Sequence, residues 1–176
     1  MSKALSLKTI SRLVASGGFL LLAGCLVSKE PMLSASNGAA TPLAIGRYDA
    51  CNGETGSKKA PECNPIDVSV SGDGLYSFSL PEEESVSVRF GELDGGGYAV
   101  QISDNDGYEY YWGSQNGDVF KLVMIWCADL SQDVVDALTG SGAMTADEKR
   151  QTCTANTPDA VFEAARAYRD GKTNAK

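Results

Sequence analysis

The sequence predicts a mainly β fold (α+β in detail): an antiparallel β-meander of six to seven strands, curved or partly closed, with two to three short C-terminal helices. Three observations carry that expectation. Apolar and polar residues alternate through Ile66, Val68 and Val70, then Tyr76, Phe78 and Leu80, then Val86, Val88 and Phe90, which is the period of half-buried strands. The turn formers SGDG, PEEE, DGGG, DNDG and QNG separate such runs at intervals of about ten residues. Beyond residue 130 the period becomes helical.

The elements follow in order. PLAIGRYDA, residues 42–50, reads as a first strand, and the loop after it, CNGETGSKKAPECNP, has no apolar period. Strands are expected near 66–70, 75–80, 85–92, 98–103, 108–112 and 118–127. Asp73-Gly74, Asp106-Gly107 and Asn116-Gly117 suit tight hairpins, because both central positions of a type I′ turn need positive φ. The last run, VFKLVMIWC, is apolar on both faces and should be central or covered by helices. SQDVVDAL reads as a helix capped by Asp129 or Ser131 and ended by Gly140; Thr145 and Glu148 have capping-box spacing before KRQTC. The final helix has Thr157 as N-cap, Pro158 at its first position and Gly171 as stop, with Val161, Phe162, Ala165 and Tyr168 on one stripe.

The N-terminus follows a different logic. Lys3, Lys8 and Arg12 precede an uncharged run, LVASGGFLLLAG, that is about half the length a membrane-spanning helix needs. A positive start, a short apolar stretch and small residues before a break make a secretory signal peptide, residues 1–24. At the junction, Leu22-Ala23-Gly24-Cys25 resembles the lipobox of bacterial lipoproteins. The resemblance covers those four residues and the signal before them. It implies that Cys25 receives diacylglycerol and becomes the new N-terminus, with acyl chains, palmitate among them, as the membrane attachment. Each buried methylene contributes about 0.8 kcal/mol, so three chains hold a protein stably. Leu26 stands where the family uses Asp for inner-membrane retention, which points to the outer membrane of a Gram-negative envelope. Residues 25–42 are then expected to be the lipidated cysteine and a flexible tether of roughly 20 to 25 Å reach. Residues 43–172 make a single globular domain and 173–176 a tail.

Removing the leader takes three of 15 basic residues and none of 23 acidic ones, so the mature chain carries a formal charge of −11. Nucleic acid is thereby excluded as a partner class, since phosphate backbones repel such a chain. Setting Cys25 aside leaves Cys51, Cys63, Cys127 and Cys153, an even number in an oxidising compartment, which reads as two disulfides. Four cysteines allow three connectivities, and the sequence-local pairs, Cys51 with Cys63 and Cys127 with Cys153, are favoured because each ties a loop-rich stretch to a neighbouring element. Zinc would want close CxxC spacing or histidine partners, and the chain has no histidine.

That absence also removes the commonest general base. Glu82-Glu83-Glu84 reads as a solvated turn. DNDG fails as a calcium loop: with Gly107 at the sixth position, Ile102 stands at the first and Gly113 at the last. DGGG lacks dinucleotide-binding spacing. No cofactor is expected. The one suggestive surface is Tyr108, Glu109, Tyr110, Tyr111 and Trp112, where alternation puts Tyr108, Tyr110 and Trp112 on one face and Glu109 with Tyr111 on the other. One set is expected in the core and the other in solvent, where aromatics suit sugar rings and protein partners. An open sheet edge is a second candidate, for strand addition by a partner.

These readings converge on a lipid-anchored envelope protein, attached to the membrane through Cys25, that binds a protein or a glycan such as peptidoglycan without catalysis. The alternatives are a carboxylate-dependent envelope enzyme and an inhibitor of a basic cell-wall hydrolase, whose association a charge of −11 would speed.

Overall fold

The computed structural model describes residues 4–8, 24–52, 61–81, 84–147 and 152–173. The apolar stretch of the leader, most of the loop between Cys51 and Cys63, the Glu82-Glu83 pair, Glu148 and the tail from 174 lie outside the described residues. Strands are β1 (Ala4–Lys8), β2 (Leu26–Ser28), β3 (Gly46–Asn52), β4 (Glu62–Val70), β5 (Tyr76–Ser79), β6 (Val86–Glu92), β7 (Tyr98–Asp104), β8 (Gly107–Asn116) and β9 (Val119–Met124). A 3-10 turn at Cys127–Asp129 leads to α1 (Gln132–Gly140), β10 (Met144–Ala146), β11 (Cys153–Ala155) and α2 (Pro158–Arg169).

Alternation and turn chemistry produce the expected meander: β3 to β9 pair consecutively and antiparallel. With β2, β10 and β11 they form one mostly antiparallel sheet of ten strands that does not close on itself. β8 is ten residues long, so one edge carries β2 at Tyr108 and Glu109 and β9 from Tyr111 to Asn116. β1 pairs in parallel with both β3 and β9.

The sheet separates two cores. On its inner side Tyr48, Ile66, Val68, Tyr76, Phe78, Val88, Phe90, Val100, Tyr111, Phe120 and Leu122 pack together. Phe90 meets Tyr76 edge-on at 5.1 Å and Phe120 at 5.5 Å between centroids, the arrangement aromatic quadrupoles prefer. Rings fill this side. On the outer side α1 and α2 cover Leu26, Ala99, Tyr110, Ile125 and Leu130. α2 comes close at one point: a Cβ on Gly91 would lie 2.7 Å from the Phe162 ring and 2.9 Å from the Asn37 carbonyl.

The structure corrects four sequence expectations. Residues 26–42 do not form a tether: β2 is a strand of the sheet, and Leu33 and Leu43 are buried. The polar side chains that hold this segment come from distant strands. Gln101 Oε1 accepts the N–H groups of Met32 and Leu33, each at 2.8 Å, and Tyr76 OH donates to the Leu43 carbonyl at 2.8 Å. The first strand begins at Gly46 rather than 42, since Leu43 is held by Tyr76 outside the ladder. The last strand ends at Met124; Trp126 bridges to Cys25 and the chain turns. Thr145 does not start a helix but lies in β10, paired with Thr154 of β11.

Candidate functional site

β8 holds the aromatic residues the sequence singles out, and the sheet divides them as alternation requires. Tyr110 is buried on the outer face, where its OH lies 2.6 Å from Ser28 Oγ, and Tyr108 and Trp112 pack half-buried in the same layer. Tyr111 is buried on the inner face and donates its phenol to Glu109 Oε2 at 2.8 Å. Both faces are therefore covered. The pair expected in solvent, Glu109 with Tyr111, is not left there: Tyr111 packs in the inner core with Cys25, Val27 and Trp126, and Glu109 is half-buried beside it. Burial holds the Glu109 carboxyl above its ordinary range, although the bond from Tyr111 opposes that shift. Burial, followed by the Glu109 charge, also raises Tyr111.

Cys25 occupies the junction of β2, β8 and the end of β9. It bridges to Trp126, and the Cys127 N–H donates to the Gly24 carbonyl at 2.5 Å. The side chain is fully buried, and burial with the neighbouring Glu109 charge pushes the thiol up to about 11. A thiol so protonated is a poor nucleophile. The other four cysteines form the two local disulfides, Cys51–Cys63 and Cys127–Cys153. The first joins residues that stand level across β3 and β4. The second ties the turn after β9 to β11, and both its cysteines are buried.

A concave feature lies on the helical layer. A groove of about 940 Å³ runs between α1 and α2, floored by Val134, Leu138 and Ala143 and flanked by Asp133, Asp159, Glu163 and Lys172. Three acidic residues and one lysine thus line it. Asp133 and Asp159 sit in the first turns of α1 and α2, where the helix dipole favours a negative charge. Backbone bonds set the two helices antiparallel: the Ser131 N–H at the start of α1 bonds the Lys172 carbonyl beyond the end of α2, and the Asn156 and Thr157 N–H groups at the start of α2 bond the Ala143 carbonyl beyond the end of α1, so Asp133 and Asp159 stand toward opposite ends of the groove. Thr157 Oγ1, also in the groove wall, is buried without a hydrogen-bond partner. The sequence reading did not find this groove; the signal available to it was the matching placement of an Asp just inside each helix start, SQD and TPD.

Among the described residues no cluster of three or more Cys, Asp or Glu is placed to hold a metal ion, and no helix is long and apolar enough to cross a membrane. No family model, curated protein or solved structure matches the chain.

Proposed function

We propose that this protein is an exported module, anchored by acyl chains on Cys25 in the outer membrane, that binds a cationic protein partner of the envelope and performs no chemistry. The groove between α1 and α2 is the observation that supports binding: an apolar floor with a surplus of carboxylates selects a basic, partly apolar surface. The charge of −11 expected for the mature chain would raise the rate of encounter with such a partner. A basic cell-wall hydrolase has the required charge. The aromatic filling of the inner face speaks against the enzyme alternative, which wants a cavity there.

Acylation precedes folding in this reading, since the folded thiol is inaccessible. Cleavage after Gly24 removes the carbonyl that accepts the Cys127 N–H, and so releases part of the hold on Cys25.

Two measurements test the proposal. Cys25→Ala should leave the chain unacylated and out of the membrane fraction; a membrane-bound variant of unchanged mass ends the lipoprotein reading. Capture from solubilised membranes, using the mature protein and its D133N/D159N/E163Q form, should recover a basic protein with the first and not the second. Recovery of the same proteins by both removes the groove from the proposal, and retention on purified peptidoglycan alone transfers it to glycan.

A further inference from the structure

β3 and β9 each lack a second neighbour within the ten-strand sheet. β3 pairs with β4 on one side, and β9 with β8. Among the described residues the other side of each is taken by β1: Ala4 to Leu7 stand level with Asp49 to Asn52, and Ala4 to Lys8 with Val119 to Val123. β3 and β9 are therefore parallel to one another and two strand spacings apart, about 9.5 Å. That gap admits one strand. The residues beside it are core residues: Tyr48 and half-buried Ala50 on β3, Phe120 and Leu122 on β9, all packed in the inner cluster.

The strand that fills the gap lies in residues 1–24, the segment whose removal the lipobox resemblance implies. We propose that the mature protein is a strand acceptor, in which the space left by β1 between β3 and β9 takes an extended segment of a partner protein. This inference rests on the processing reading above. An empty gap would leave two rows of backbone N–H and C=O groups unpaired and open Phe120 and Leu122 to water, and both costs are removed by one added strand.

The register states what the segment must be. It runs parallel to both neighbours, spans about five residues, the length of β1, and has no internal proline, because in a strand bonded on both sides each N–H has a partner. It carries apolar residues at the two positions level with Phe120 and Leu122, where the leader has Leu5 and Leu7. Alternate positions are free to be polar, as Ser6 is.

The test uses mature protein purified from membranes, the uncleaved Cys25→Ala chain, and a synthetic peptide of residues 2–10 as probe. Mass spectrometry first establishes whether residues 1–24 are gone. In the cleaved protein the gap-facing amides of β3 and β9 should exchange rapidly, and the peptide should slow them about tenfold or more. A peptide with Ser6→Pro should leave them fast, and the uncleaved chain should be slow without any peptide. Cleaved protein whose β3 and β9 amides are already slow, or do not respond to the peptide, overturns the acceptor while leaving the processing reading intact. So does a dimer whose dissociation on dilution frees those amides, since a second copy then fills the gap. A purified protein that retains residues 1–24 overturns both.

Discussion

Gln101 and Leu33 exchange two hydrogen bonds across 68 residues of sequence: the Leu33 N–H donates to Oε1 at 2.8 Å, and Nε2 donates to the Leu33 carbonyl at 3.3 Å. Both side chains are buried, and the same Oε1 accepts the Met32 N–H. One amide thereby holds a stretch that has almost no ladder of its own. Gln101→Leu removes the amide that the buried Leu33 N–H and carbonyl use, while the Met32 N–H keeps its bond to the Tyr110 hydroxyl, at a cost of about 2 kcal/mol. Denaturant melting should show that loss, and amide exchange should accelerate across 26–37 more than across the meander.

Gly91 is fixed by what lies above it. Gly91→Ala places a methyl against the Phe162 ring and the Asn37 carbonyl, an overpacking that should cost about 1 to 3 kcal/mol. Adding Phe162→Ala to that variant should recover only part of the loss, because the carbonyl does not move with the ring. Thermal melts of the two single variants and the double variant check the coupling.

The two disulfides should differ in accessibility. Cys63 is exposed at the end of the β3–β4 hairpin, whereas Cys127 and Cys153 are fully buried. Mild reductant followed by alkylation should modify Cys51 and Cys63 in the native protein and reach Cys127 and Cys153 only on unfolding. Replacing the second pair by Ser should cost about 3 kcal/mol and loosen the helical layer before the meander.

Two carboxyl groups should act on stability in opposite pH ranges. Glu109 is raised by burial, so its native form prefers the proton: the stability is complete below the unfolded carboxyl range and is lost as pH rises through the folded value. Glu109→Gln should therefore melt higher than the parent at neutral pH and level with it in acid. Asp73 is lowered to about 2, first by the Ser71 hydroxyl and then by Arg89. Its contribution is present above the unfolded value of about 3.9 and disappears as pH falls toward 2. Asp73→Asn should melt lower at pH 6 and no differently at the acid end, which a pH series of melts decides.

The meander was legible because its signals are local. Alternation, together with Asp73-Gly74 and Asn116-Gly117, marks strands and turns that tertiary contacts then confirm in place. The packing of 26–43 was not legible. Its composition is that of a linker, and what orders it are Gln101 and Tyr76, residues whose role appears only when their strands lie beneath it. Leu26-Val27, Met32-Leu33 and Leu43, short apolar spots in a Ser, Ala and Gly context, were the trace. YEYYWG misled for a related reason. Alternation shows which residues share a face but not that the inner aromatic cluster covers one face and α2 the other, so aromatics that resemble a binding surface are core. The groove stayed hidden because it lies between two helices whose N-caps, Ser131 and Thr157, are 26 residues apart in sequence, and which are joined end to start by the bonds of Ser131 to Lys172 and of Thr157 to Ala143.

β2 begins at Leu26, and the Leu26 N–H is bonded to the Ile125 carbonyl at 2.9 Å. A body on a leash of seventeen loose residues could swivel and meet its partner at any heading within roughly 20 Å of the bilayer. A body anchored as proposed, through acyl chains on Cys25 with its sheet starting at the next residue, could not. Its tilt and height above the headgroups would be set together, so attachment would act as a compass bearing as well as a confinement. The proposed partner would then have to arrive at one level and from one side, which would turn a search in three dimensions into alignment along a plane.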